Sequence, residues 1–192
     1  EPTVYGSIKA GAAVVTSSGD KLIGGPQAGI ITGSKEYIQK IKKHPLARAL
    51  RVGKLTIAAL EAALMLFREN AEYLAGHHPL YRMFSVSVDE LGKKAEEFLS
   101  LLDMPDSCSV SIQETESYVG SGSLPDHAIP SIGAGVRSPD NELLAKKLRT
   151  GNPAVASRIE DGFLKLDMRT LLPGELEQLA SLVNAAAQEL WE

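Results

Sequence analysis

Ala12-Ala13-Val14-Val15-Thr16 and Ala28-Gly29-Ile30-Ile31-Thr32 bracket the segment Ser17-Ser18-Gly19-Asp20-Lys21-Leu22-Ile23-Gly24-Gly25-Pro26-Gln27. The two outer runs are short, apolar and β-branched, so each predicts a buried strand. The segment between them holds three glycines and a proline, and tied between two strands it predicts a constrained loop. This is the pattern of an α/β layer, with a lysine on the connection between its strands.

Outward from that loop, Ser34 predicts a helix N-cap, with Glu36 in the first turn and the helix running to about Lys43. Pro45 suits a first helical position. From there to about Tyr73, apolar Leu55, Ala58, Ala59, Ala62 and Leu66 predict a long helix with one broad buried face, either continuous or interrupted near Gly53. Gly76-His77-His78-Pro79 ends it. Beyond the break the pattern changes. Ser87 and Glu90 predict a capping box opening a helix with Leu91, Ala95, Phe98, Leu99 and Leu102 on one side. Cys108, Val110 and Ile112 alternate as a half-buried strand, and residues 127–136 read as another. Ser138-Pro139-Asp140 starts a helix and Thr150-Gly151-Asn152-Pro153 stops it. Asp161-Gly162 predicts a hairpin turn, and an amphipathic helix with Leu179, Leu182, Val183 and Ala186 closes the chain. The expected fold class is α/β: a remnant of a larger layer over residues 1–76, then a small α+β domain with an antiparallel sheet over 77–192.

Composition narrows the classes. The 192 residues are 44% hydrophobic and 23% charged, which excludes a disordered or fibrous chain. A formal charge of -4 gives no global nucleic-acid footprint. No apolar run approaches the roughly 20 residues of a membrane span. The single cysteine, Cys108, excludes an internal disulfide and fits a cytoplasmic location. The chain opens Glu1-Pro2-Thr3-Val4-Tyr5, with no starter Met and close to a strand, so a piece of a longer protein is expected.

Lys21 leads the residues that can do chemistry. A lysine held in such a loop forms an imine with an aldehyde cofactor, or else it is a surface lysine in a polar turn. Ser18 places a hydroxyl nearby for a phosphate. Arg48 and Arg51, three apart, share one face if the segment is helical and suit a tetrahedral oxyanion. The competing reading is a solvated basic stripe continuing from Lys40, Lys42 and Lys43. Arg158 is a weaker candidate, for a carboxylate or another subunit, against a plain ion pair with Glu160 or Asp161. The four histidines (His44, His77, His78 and His127) lack metal-site spacing, so no metal is expected. Gly120-Ser121-Gly122-Ser123-Leu124-Pro125 reads as a loop able to hug a ligand, a pattern of common type.

Taken together, three stretches resemble the selenocysteine synthase family, the L-seryl-tRNA(Sec) selenium transferases. They are Ser18 to Gly29, His44-Pro45-Leu46-Ala47-Arg48-Ala49-Leu50-Arg51, and Lys54 to Glu61. Gly122 to Pro125, Arg158 to Asp161 and Leu166 to Pro173 keep the family's order. Ser17 and Ala13 depart from it, where an aromatic and an acidic residue are usual. The resemblance implies a pyridoxal 5'-phosphate enzyme of the aspartate-aminotransferase fold type. Residues 1–76 would then be the C-terminal part of its large domain and the connecting helix. It implies that Lys21 carries the cofactor, with Ser18 and Gly25 beside it, and that Arg48 and Arg51 hold the selenium-bearing anion. The implied reaction converts seryl-tRNA(Sec) to selenocysteinyl-tRNA(Sec) with selenophosphate as donor, in a dimer-based homo-oligomer, the tRNA held mainly by an N-terminal part absent here. On this reading the chain alone is inactive. The alternatives are a sister pyridoxal-phosphate lyase or transferase acting on a small phosphorylated amino acid or amino sugar, and a non-catalytic assembly module.

Overall fold

In the computed structural model, which describes residues 3–119 and 127–191, the chain is a mixed α/β protein with two antiparallel sheets. The Gly122–Pro125 motif lies outside the described residues. In chain order the elements are α1 (Val4–Lys9), β1 (Val14–Ser18), β2 (Gly29–Gly33), α2 (Lys35–Lys43), α3 (Pro45–Ala49), α4 (Lys54–Leu66), α5 (Ala71–His77) and α6 (Pro79–Ser85). They continue with α7 (Val88–Ser100), β3 (Ser109–Tyr118), β4 (Ala128–Arg137), α8 (Asn141–Arg149), β5 (Arg158–Glu160), β6 (Phe163–Asp167) and α9 (Leu176–Trp191). Contacts divide the chain into two units between Arg82 and Met83.

In the first unit β1 and β2 form a two-stranded antiparallel ribbon, Val14 opposite Gly33 and Ser18 opposite Gly29. The strands begin one or two residues later than the apolar runs, and they alternate between half-buried and exposed instead of being buried. A ribbon with no third strand has too little cover to bury both faces. Among the described residues of this unit only Gly19 and His78 are buried.

The long helix expected over residues 45–73 is interrupted near Gly53, as one of its two readings had it, and again before Ala71, giving α3, α4 and α5. Gly53, with extended backbone, begins α4 anew, and Asn70 caps α5 by accepting from the Tyr73 N–H at 2.8 Å. The broad buried face is absent as well, for Leu55 is 87% exposed. The segment near the N-terminus is also a helix, α1, because the Thr3 hydroxyl accepts from the Gly6 N–H at 2.9 Å.

The second unit matches the expected layering more closely. Its sheet runs β3-β4-β6-β5, antiparallel throughout. Ile132, Ala134 and Val136 of β4 pack with Leu164 and Leu166 of β6 against Leu91, Ala95 and Phe98 of α7, Leu144 and Leu148 of α8, and Leu179 and Val183 of α9. Alternate β4 positions are glycine because the other face has no room. A Cβ on Gly133 would lie 2.7 Å from the Leu166 carbonyl oxygen. Asp161 and Gly162 take φ of 54° and 77°, the left-handed pair that a two-residue hairpin turn requires.

Two polar devices tie this unit together. Arg169, 5% exposed, donates to the carbonyl oxygens of Met83 (2.7 Å), Val86 (2.9 Å) and Pro130 (2.7 Å). Ser87 and Glu90 form the expected capping box. The Glu90 carboxylate accepts from the Ser87 N–H and hydroxyl, and these bonds hold its pKa below the ordinary 4.5.

Replacing the buried Arg169 by Met strips the Met83, Val86 and Pro130 carbonyls of their charged donor and should cost about 3 kcal/mol, read as a lower urea midpoint with unchanged slope. Because the folded-state pKa of Glu90 is lowered, its contribution is complete above 4.5 and lost as pH falls through the folded value. Glu90→Gln should therefore flatten the loss of melting temperature measured on that acid side.

Candidate active site at the lysine loop

The connection between β1 and β2 is closed by its own backbone. The Gly19 N–H donates to the Ala28 carbonyl at 2.8 Å, extending the ribbon one step past the strands. The Gly25 N–H then donates to the Gly19 carbonyl at 2.8 Å, folding the loop across its own neck. The Gly24 N–H donates to the Lys21 carbonyl at 2.9 Å, so Lys21 is the first residue of a tight turn.

Glycine fits each of these points, and at Gly24 the left-handed backbone requires it. A Cβ on Gly19 would meet the Pro26 carbonyl oxygen at 3.0 Å and Leu60 Cδ1 at 3.1 Å. On Gly25 it would meet the Gly19 carbonyl oxygen at 3.0 Å and the same Leu60 methyl at 3.1 Å. Gly24 sits at φ +68°, where a Cβ would fall 2.4 Å from Nε2 of His78. Leu60 of α4 and His78 between α5 and α6 thus brace the loop.

Lys21 is exposed. Ser18 donates its hydroxyl to the Asp20 carboxylate, and Gly25 commits its N–H to Gly19. The expected companions of Lys21 therefore make their bonds inside the loop. Ser17, Ser18 and Asp20 line an open hollow together with Val52, the residue after Arg51. Arg48 lies on α3, whereas Arg51 lies past its end, and both are exposed. They do not share a helix face, because α3 stops at Ala49 and Leu50 to Gly53 leave the helical path.

Arg158 sits in the second unit, where it donates to Thr115 Oγ1 at 2.9 Å and the Glu116 carbonyl at 3.0 Å. The anticipated partners Glu160 and Asp161 are taken by Lys165, at 2.9 and 3.2 Å. Their carboxylates hold the Lys165 pKa above its ordinary value.

Of the other candidates, His44 caps α3 by accepting from the Leu46 N–H at 3.2 Å. His77 stacks on Tyr73 with ring centroids 3.9 Å apart. Cys108 is half-buried just ahead of β3, not inside a strand core, and burial pushes its thiol pKa up. The residue that sequence reading passed over is His78. Its position before Pro79 reads as a helix end, and nothing local shows that it reaches back 55 positions to the loop.

A family model described as L-seryl-tRNA selenium transferase matches residues 1–172. The chain is similar to the L-seryl-tRNA(Sec) selenium transferase of Carboxydothermus hydrogenoformans, 42% identical over 187 residues, 96% of this chain and 40% of that protein. It is likewise similar to that of Geobacter sulfurreducens, 40% identical over 191 residues, 97% of this chain and 41% of that protein. The chain thus spans about two-fifths of the length of the curated relatives it matches. A solved structure described as D-glucosaminate-6-phosphate ammonia-lyase shares the fold with a TM-score of 0.61 at 24% identity, over 97% of this chain and 47% of that one.

Gly24→Ala puts a side chain into the left-handed region and against His78, and should loosen the turn. The expected result is tryptic cleavage after Lys21 about tenfold faster than in the unaltered chain, followed by mass spectrometry of the peptides.

Proposed function

The chain belongs to the L-seryl-tRNA selenium transferase family, and from that premise we propose that the protein carrying it makes selenocysteinyl-tRNA(Sec) from seryl-tRNA(Sec) and selenophosphate. The observation that carries the reading is Lys21 itself: an exposed amine at the first position of a turn pinned by three short backbone hydrogen bonds. An amine that must meet a cofactor carbon at one angle needs such a rigid base.

Lys21, exposed on a fixed turn, is the residue that would hold pyridoxal phosphate. When bound, that group supplies an electron sink for the substrate α-carbon. The chain does the rest. The Lys21 Nζ would hold the cofactor aldehyde and would serve as the base that takes the substrate α-proton and returns it. Ser18 and Gly25 are proposed beside the cofactor, Ser18 by turning its hydroxyl from Asp20 to the phosphate. Arg48 and Arg51 grip the oxygens of selenophosphate from neighbouring but separate backbone segments, their forked donors matching a tetrahedral anion.

Residues 1–76 are read as part of a larger cofactor-binding domain and 77–192 as a small C-terminal domain. The scarcity of buried residues in the first unit and the exposed Leu55, Ile57 and Met65 of α4 support a partner layer, in a dimer-based assembly. The chain by itself then lacks the walls that desolvate Lys21, and is expected to turn over no seryl-tRNA. Among the described residues no helix is long and apolar enough to cross a membrane. The solved neighbour acts on D-glucosaminate-6-phosphate by its description, at an identity that carries fold and not substrate. The tRNA reading therefore leads.

In the full-length protein, Lys21→Ala should lower selenocysteinyl-tRNA formation by ~10³-fold or more. Arg48→Ala or Arg51→Ala should raise the KM for selenophosphate by about ten- to a hundredfold while sparing that for seryl-tRNA. Steady-state assays with each substrate varied in turn measure both. Turnover of free phosphorylated amines in place of seryl-tRNA would sink the reading.

A further inference from the structure

We propose that His78 is the positioning residue of the lysine loop, an imidazole buried in an aromatic box that fixes the turn from which Lys21 projects. The inference rests on the reading of Lys21 as the reacting amine and deepens it by naming what holds that amine's backbone in place.

His78 is 5% exposed and, with Gly19, one of the two buried residues among those described in the first unit. Its Nε2 lies 3.1 Å from the Ile23 carbonyl oxygen. A carbonyl only accepts, so the bond places the proton on Nε2. Nδ1 is buried with no hydrogen-bond partner. The ring is boxed edge-on by Phe67, with centroids 5.8 Å apart, and by Tyr81, at 5.0 Å, while Phe67 and Tyr81 meet each other at 5.4 Å. The tip of the ring also fills the space in front of Gly24, where a Cβ would stand 2.4 Å from Nε2.

One side chain thus addresses two successive residues of the turn, Ile23 through its carbonyl and Gly24 through its missing side chain. For stability alone an apolar residue would serve this box better, because a buried ring nitrogen without a partner is costly. The directional bond to Ile23 is what a hydrophobic replacement cannot supply. Since Gly24 in turn closes onto the Lys21 carbonyl, His78 fixes the base of the lysine side chain and leaves only its own torsions free.

The test reads amide hydrogen exchange in this chain, residue by residue. His78→Phe keeps the shape without the donor, and exchange at Gly24 and Gly25 should rise about tenfold with the β1–β2 ladder unchanged. His78→Gln, which keeps an N–H donor of similar reach, should return both amides to within about threefold of the unaltered chain. If the Phe variant does not fold, His78→Asn, polar but too short for Ile23, should show the same local rise. Unchanged exchange at Gly24 and Gly25 overturns the proposal, and so does an equal rise across the unit, which marks general support of the fold. In the full-length protein, pyridoxal phosphate trapped with borohydride should mark Lys21 by mass spectrometry, less completely in His78→Phe. No label at Lys21 in the unaltered protein, with the exchange pattern as expected, removes the reading of Lys21 and leaves the clamp on the turn.

Discussion

The neck of the lysine loop is a place where two stretches of backbone approach so closely that a Cβ would be crowded on both sides. Gly25 donates to Gly19 at 2.8 Å, and a Cβ on either glycine would press on a carbonyl oxygen at 3.0 Å and on Leu60 at 3.1 Å. That constraint shapes everything around Lys21. It turns the ten-residue connection between β1 and β2 into a folded lobe, brings the following residues into a tight turn, and sends the lysine outward from a defined base. Side chains at those two positions would need the neck to give by a few tenths of an ångström, which loosens the tip against its chain entropy.

The two units obtain their order in different ways. In the second, a sheet with three helices on it buries a continuous apolar core from Leu91 to Ala186, and burial on that scale suffices to hold a small domain. The first has no such core among its described residues. Its loop is held by backbone bonds, glycine fit and one buried imidazole, so its local stability stands below that of the second unit. In both, a side chain distant in sequence donates to backbone carbonyls: His78 to Ile23, and Arg169 to Met83, Val86 and Pro130. Away from water such bonds are strong and directional, which suits them to fixing irregular backbone.

Family membership and substrate stand on different footings. Identity of 40–42% over nearly the whole chain establishes kinship, while the chain accounts for only about two-fifths of those relatives. The fold likeness at 24% identity is broader than any one substrate. The chemistry therefore has to be argued from Lys21, Arg48 and Arg51, and from what surrounds them.

Much of this was legible in the sequence because it is local. The Ser87–Glu90 capping box, the Asp161-Gly162 turn, the alternation of β3 and the closing helix each depend on neighbours a few positions away, and each formed where its pattern lies. The glycines and proline around Lys21 announced a constrained loop for the same reason. Other features belong to the tertiary structure. The break of the long apolar segment into α3, α4 and α5 set Arg51 off the helix that carries Arg48, a competition between helix propensity and capping that periodicity does not resolve. The capture of Glu160 and Asp161 by Lys165 left Arg158 to Thr115. His78 reached across 55 residues to the loop. Local pattern records what a residue prefers, whereas the partner of a buried polar group is decided by which distant backbone the fold brings within 3 Å of it.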